Sequence, residues 1–323
     1  MNKINTLKKS KEMSPINTIN HPLFTKHKVE VFIKRDDLIH PIISGNKWRK
    51  LKYNISAARK MGKTQILSFG GAYSNHIHAL AYACKINNIK AIGIIRGEQH
   101  YQHNFTLSWA SHWSMTLQFV DRKTYKLRHN EEFLAQLQQK YPNAYIIPEG
   151  GSNHLALPGV GEVITELNEQ LEYDYLLTPV GSGGTLAGLI NADQNQHKLL
   201  GIAVLKQDGY LTDEVNQLLA AHASNFENWE ILNQFHRGGY GKYKTADTER
   251  ILQFSQQAGV PFEPVYSGKM LLAFLDLLAQ GYFQAGAKIV LLHTGGLQGL
   301  GGMAERGLLN ADQWPIPAHA PNC

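Results

Sequence analysis

The chain has 323 residues, 43% of them hydrophobic and 18% charged, the balance of a globular protein with a sizeable core. Its net charge of +6 is scattered along the sequence, which suits small anionic ligands and speaks against nucleic acid. Only Cys84 and Cys323 are present, which excludes a disulfide framework and a Cys-rich metal site; with no signal-peptide core at the N-terminus and no run of membrane-spanning length, a cytoplasmic setting is expected.

Residues 1 to about 28 read as a polar, partly extended arm ending near His21-Pro22-Leu23. Val31-Phe32-Ile33 is a short β-branched and aromatic strand, followed by the charges Lys34-Arg35-Asp36-Asp37. The chain turns at Ser44-Gly45-Asn46 and enters a helix at Lys47, whose stripe is Trp48, Leu51, Ile55 and Ala58. Lys47 and Lys50 lie one turn apart beside that stripe. A lysine in the first turn of a helix sits among unpaired N–H groups in a positive field, which disfavours the ammonium form and favours a nucleophilic amine. The plainer reading is that Lys47, Arg49, Lys50 and Lys52 form a solvated charged face.

Strands are then expected at Gln65–Phe69, Ala91–Ile95, Leu117–Val120 and Ala144–Ile147. Helices fall between them: one capped by Ser74, with a stripe of Ile77, Leu80, Ala81 and Cys84, and others at His103–Ser111 and Asn130–Lys140. The alternation repeats with helix 161–170, strand 173–177, strand 199–205, helices 213–223, 248–258 and 273–278, and strand 288–292. Such strand–helix alternation predicts an α/β fold with parallel sheets covered on both faces.

Four stretches could carry chemistry. Gly181-Ser182-Gly183-Gly184-Thr185 joins a strand to a helix, so its amides and the helix start can cradle a phosphate; it lacks the Lys-Ser/Thr of a Walker motif and the third glycine of a dinucleotide fingerprint. Gly70 to His76 places Ser74, Asn75 and free amides at a helix start, either a plain N-cap or a seat for a carboxylate. Tyr240, between two glycines, and Tyr266 offer phenols as acid–base partners or as walls for a ring. His293-Thr294-Gly295-Gly296 closes a buried strand with a hydroxyl. The pairs His76/His78 and His100/His103 lack a third ligand, so no metal is expected.

In this order, Gly45-Asn46-Lys47, Ser74-Asn75-His76, the loop 181–185, Pro264-Val265-Tyr266-Ser267-Gly268-Lys269 and His293-Thr294-Gly295-Gly296 resemble the pyridoxal-phosphate enzymes of tryptophan-synthase-β type (fold type II). Within them the likeness is to the 1-aminocyclopropane-1-carboxylate (ACC) deaminases and D-cysteine desulfhydrases. The resemblance implies two open, twisted, mostly parallel sheets flanked by helices, with the cofactor in a cleft between a large domain (1–52 and 157–323) and a small one (53–156). It implies that Lys47 carries pyridoxal 5'-phosphate covalently, that Lys50 and the amides of Gly181, Ser182, Gly183, Gly184 and Thr185 bind its phosphate, and that Asn75 meets the ring's 3-hydroxyl oxygen. Ser74 would hold the substrate carboxylate, Tyr240 and Tyr266 would line the substrate side, and Thr294 would meet the pyridine nitrogen. A homodimer is also implied.

Ser267 and Thr294 stand where ACC deaminases carry a glutamate and a leucine. A hydroxyl at the pyridine nitrogen makes a shallower electron sink than a carboxylate, enough to expel a good β-leaving group such as a thiolate. Tyr73 departs from the glutamine of well-known members. The expected activity is therefore α,β-elimination on a small amino acid, in the manner of D-cysteine desulfhydrase. ACC deamination, a non-catalytic phosphate-ligand-binding module and a nucleotide oxidoreductase are the alternatives.

Overall fold

The computed structural model describes residues 13–220 and 225–320; residues 1–12 of the expected arm, the end of the helix expected over 213–223, and Cys323 lie outside the described residues. Among the described residues ten strands form two sheets: β1 (Ile16–Thr18), β2 (Glu30–Lys34), β3 (Gln65–Gly71), β4 (Lys90–Arg96), β5 (Thr116–Val120), β6 (Ala144–Ile147), β7 (Tyr175–Val180), β8 (Lys198–Ala203), β9 (Trp229–Leu232) and β10 (Lys288–Leu292). The larger sheet runs β1-β2-β10-β7-β8-β9 and the smaller β5-β4-β3-β6. Every pairing is parallel except β1 with β2.

Both faces of the larger sheet are covered, so its inner strands are apolar on both sides. Leu177, Ile289 and Leu291 pack into one core with Met270, Leu271 and Phe274 of helix Ser267–Ala279. Their neighbours Leu176, Val290 and Leu292 point the opposite way, against Val160, Ile164, Leu186 and Ile190, as the two-residue period of a strand requires. In the smaller sheet Ile66 and Ile95 face one core and Leu67, Phe69 and Ile94 the other.

Strand 288–292 and helix 131–140 fall within a residue of expectation, Asn130 serving as N-cap. Other boundaries moved. The arm contains the edge strand β1 and a short helix, Pro22–His27. Strand β9 was not anticipated, since Trp229–Leu232 is only half-buried at the sheet edge and shows no clean alternation. β7 runs on to Val180, pairing Thr178-Pro179-Val180 with Gly201-Ile202-Ala203, which shortens the glycine loop. The helix expected from Gly161 starts at Ala156 and runs through Pro158-Gly159, because Gly159 lies directly against the Arg49 carbonyl of helix Asn46–Lys60. Only a residue without Cβ allows that approach.

The stripe Trp48, Leu51, Ile55 and Ala58 is buried as expected. The solvated-face reading of the neighbouring cations is overturned, because Arg49 and Lys50 are each 1% exposed. Arg49 meets Asp36 at 2.6 Å and Glu166 at 2.9 Å, Lys34 meets Glu166 at 2.7 Å, and the Ser14 hydroxyl donates to Asp36 at 2.6 Å. Burial opposes the Arg49 charge, but the two carboxylates outweigh it and raise its pKa. Removing one member would leave a buried charge unpaired. This network anchors the Lys47 helix to β2 and to helix Ala156–Gln170.

Candidate active site

The turn that starts the Lys47 helix is stitched to distant segments. The Gly45 amide donates to Asp36 O (2.9 Å) and the Asn46 amide to Thr294 O (3.2 Å), while Asn46 Nδ2 donates to Thr185 Oγ1 at 2.8 Å. The C-terminal end of β10, the start of helix Gly184–Asp193 and the first turn of helix Asn46–Lys60 thus meet at one point. This is the carboxyl edge of a parallel sheet, where α/β proteins bind ligands.

Lys47 Nζ donates to Asn46 Oδ1 at 3.1 Å, and no carboxylate lies within 4.0 Å of it among the described residues. Burial lowers its pKa from 10.5 to about 8, so about a tenth is the free amine at pH 7 against well under a thousandth for an ordinary lysine. It lines a cavity of about 660 Å³ together with Lys50, Ser74, Asn75, Tyr240, Tyr266 and Thr294, a size typical of small-molecule sites.

Of the glycine loop, Gly181, Ser182, Gly183 and Thr185 line this cavity. Gly184 does not: it packs on Ser152, and its amide donates to Ser182 O at 2.8 Å. Lys50 Nζ reaches Ser152 Oγ (3.0 Å) and Gly150 O (3.4 Å), and Ser152 Oγ lies 2.8 Å from Ser182 Oγ. Burial first, then Lys47, pushes the Lys50 pKa well down. An amine that no carboxylate approaches within 4.0 Å among the described residues, two hydroxyls and a helix start form a seat that a phosphate would complete.

Ser74 Oγ accepts from the Ile77 amide at 3.3 Å, capping helix Asn75–Ile86 while lining the cavity. His76, which sequence spacing raised only as half of an incomplete metal pair with His78, is 2% exposed and touches Ser68 Oγ through Nε2 at 2.8 Å. Ser68 also donates to Ile147 O at 2.8 Å. With its one proton used there, the serine must accept from His76 Nε2–H, which leaves Nδ1 a bare, buried acceptor without a partner. Burial, then Lys47 and Lys50, depresses the His76 pKa and keeps the ring neutral.

Tyr240 and Tyr266 form a T-shaped pair with ring centres 5.8 Å apart. Burial pushes the Tyr266 pKa well up, whereas Tyr240 stays 44% exposed. Ser267 does not face the cavity. Its amide and hydroxyl both bond Glu263 Oε1, at 2.7 and 3.2 Å, and the same carboxylate accepts from the Val265 and Tyr266 amides. Burial lifts Glu263 to about 7 against these donors. Thr294 is thus the one of the two distinguishing hydroxyls that reaches the cavity.

Fully buried Lys269 donates to Gly239 O at 2.5 Å and Val204 O at 3.3 Å, so the first turn of helix Ser267–Ala279 holds the Tyr240 loop as well as Tyr266. Lys269→Met is expected to lower kcat/KM about tenfold by releasing that loop. In a Tyr240→Phe background the same change should cost far less, because both act through one phenol. Fully additive losses would show that Lys269 acts elsewhere.

Ser152, Arg96, Arg128 and Glu149 line the cavity without having been singled out. A signal existed: Glu149-Gly150-Gly151-Ser152 and Arg96-Gly97 close strands β6 and β4, as His293-Thr294-Gly295-Gly296 closes β10. What marked them weakly was that each depends on its counterpart across the cleft.

Residues 13–295 match the model of the pyridoxal-phosphate dependent enzymes. The chain is 30% identical over 281 residues, 84% of this chain and 85% of the relative, to a Pyrococcus horikoshii protein provisionally named a 1-aminocyclopropane-1-carboxylate deaminase. It is 26% identical over 288 residues, 84% of this chain and 88% of the relative, to the D-cysteine desulfhydrase of Klebsiella pneumoniae (strain 342). Among solved structures, an ACC deaminase homologue superposes with a TM-score of 0.81 at 27% identity, covering 96% of this chain and 100% of that one. A free amine, an anion seat and a hydroxyl at a strand end form the donor set such a cofactor needs, and this chain belongs to the pyridoxal-phosphate-dependent enzymes.

Proposed function

We propose that the chain catalyses α,β-elimination on a small amino acid, D-cysteine being the first substrate to test, with release of a keto acid, ammonia and the leaving group. The observation that carries this reading is Lys47: an amine lowered to about 8, without a carboxylate partner, on the wall of the cavity that also holds the glycine loop. Bound pyridoxal phosphate supplies the ring that absorbs the charge left when an α-proton departs. Lys47 Nζ holds the cofactor and, once free, takes that proton. Lys50, the amides of residues 181–183 and the helix start at Gly184 hold the phosphate. Ser74 and its turn hold the substrate carboxylate, Asn75 and Thr294 orient the ring, and Tyr240 and Tyr266 wall the substrate side. We assign 1–52 with 157–323 to a large domain and 53–156 to a small one, a division supported by the two separate sheets. No helix among the described residues is long and apolar enough to cross a membrane; a cytoplasmic homodimer is part of the proposal.

ACC deamination is the second reading, favoured by the name of the Pyrococcus relative. Thr294, with Ser267 turned away to Glu263, weighs against it. A screen of D- and L-amino acids for keto-acid release decides: pyruvate from D-cysteine is expected, and 2-oxobutyrate from ACC as the main product would reverse the order. Borohydride-trapped cofactor should increase as pH rises through about 8 and level off above it, following the free Lys47 amine. A colourless protein with nothing to trap would leave a phosphate-ligand-binding role.

A further inference from the structure

His293, the first residue of the strand-end motif, has no part in the elimination reading, yet it is 0% exposed and both of its ring nitrogens are committed. Nε2 lies 2.7 Å from the Pro261 carbonyl oxygen, and Nδ1 lies 3.2 Å from the Gly295 amide nitrogen. A carbonyl can only accept and an amide N–H can only donate, so the proton sits on Nε2 and Nδ1 is the acceptor. Asp37 Oδ1 stands 3.6 Å from Nδ1, but that carboxylate is held by Arg35 Nε and Nη2 at 2.8 and 2.7 Å. Burial lowers the His293 pKa, and a neutral ring is what these two partners require.

These two bonds reach three segments of the site. A Cβ on Gly295 would overlap Ser44 Oγ, just as one on Gly45 would overlap the Thr294 carbonyl. The 294–295 peptide and the turn that starts the Lys47 helix are therefore in direct contact and cannot shift separately; the Asn46 amide, donating to Thr294 O at 3.2 Å, joins them. On the other side Pro261 leads into Phe262, whose ring centre is 5.0 Å from that of His293, and into Glu263, which accepts from the Tyr266 amide at 2.8 Å. One imidazole thus spans the strand end that carries Thr294, the turn that carries Lys47 and the segment that carries Tyr266.

We propose that His293 is a positioning residue for the cofactor: by holding the Gly295 amide through Nδ1 it fixes where the Thr294 hydroxyl and the Lys47 turn meet the bound ring, while its Nε2 bond to Pro261 serves the fold. This rests on the reading in which Lys47 and Thr294 are the groups that meet pyridoxal phosphate. It gives the two ring nitrogens separable duties, one felt in cofactor binding and one in stability.

Two substitutions separate those duties. His293→Asn places Oδ1 where Nδ1 stands, keeping an acceptor for Gly295 and losing the donor to Pro261; His293→Gln places an amide N–H where Nε2–H stands and does the reverse. For each full-length holoenzyme, cofactor occupancy at graded free pyridoxal phosphate, the absorbance of the bound cofactor and the unfolding temperature are measured. His293→Gln should weaken cofactor binding about tenfold, the cost of leaving a buried N–H unpaired, and shift the absorbance maximum. His293→Asn should stay within about threefold of wild type with an unshifted spectrum, although it too unfolds at a lower temperature. This pair decides even if His293→Leu, which removes both bonds, does not fold. Equal or reversed weakening in the two variants, or wild-type binding in His293→Gln, would overturn the proposal. Thr294→Val tests the ring contact on its own: unchanged binding and absorbance there would end that part of the reading, whereas the order of Asn and Gln decides His293 in either case.

Discussion

Lys47→Ala is expected to reduce keto-acid release at least about 10³-fold, since one amine serves both to hold the cofactor and to move the α-proton. The borohydride-trapped adduct should vanish with it. Lys50 cannot stand in, because its Nζ is directed at Ser152 and Gly150 on the phosphate side of the cavity. The fold should survive, for among the described residues the Lys47 side chain bonds only Asn46. Stability should shift in a defined way. The native protein releases the Lys47 proton near pH 8 and the unfolded chain only near 10.5, so stability rises with pH across that window. The alanine variant should lose that part of the rise. Adduct still trapped in Lys47→Ala would move the chemistry to another amine and end the present assignment.

Gly45→Ala is expected to damage both fold and site, although it adds one methyl group. Gly45 has φ 64° and ψ −143°, a region that residues with a Cβ scarcely enter. The methyl would also overlap the Thr294 carbonyl, which is backbone and cannot rotate away. Relief requires parting the turn from β10, with loss of the Asn46 N–Thr294 O bond and displacement of Lys47 from the loop 181–183. A destabilisation of about 3 kcal/mol or more follows from strain and overlap together. A further loss of about 100-fold in kcat/KM is expected in the folded fraction from an ångström-scale misplacement of the amine. Thermal unfolding and borohydride trapping measure the two effects separately. Wild-type values in both would show that the turn is not what places Lys47.

Parts of the site could be read along the chain because their signals are local. Glycines at strand ends, Ser74 before a helix and a lysine just after Gly45-Asn46 are marked within a few residues, since caps and turns depend on immediate neighbours. The helix stripe of Trp48, Leu51, Ile55 and Ala58 is local in the same sense. What misled was charge. Arg49 and Lys50 look solvated in sequence, yet one is neutralised by Asp36 and Glu166 and the other is turned toward hydroxyls that arrive from residues 152 and 182.

The sequence by itself therefore determined the strand–helix alternation, the candidate amine and the family pattern, all of which rest on periodicity and short motifs. Tertiary structure alone decided that Ser267 serves Glu263 while Thr294 faces the cavity, that Gly184 is withdrawn from the lining, and that Lys269 holds the Tyr240 loop. The physical reason is that burial and charge pairing depend on which segments meet, and β10 must lie between β2 and β7 before residues 47, 181 and 294 can share one wall.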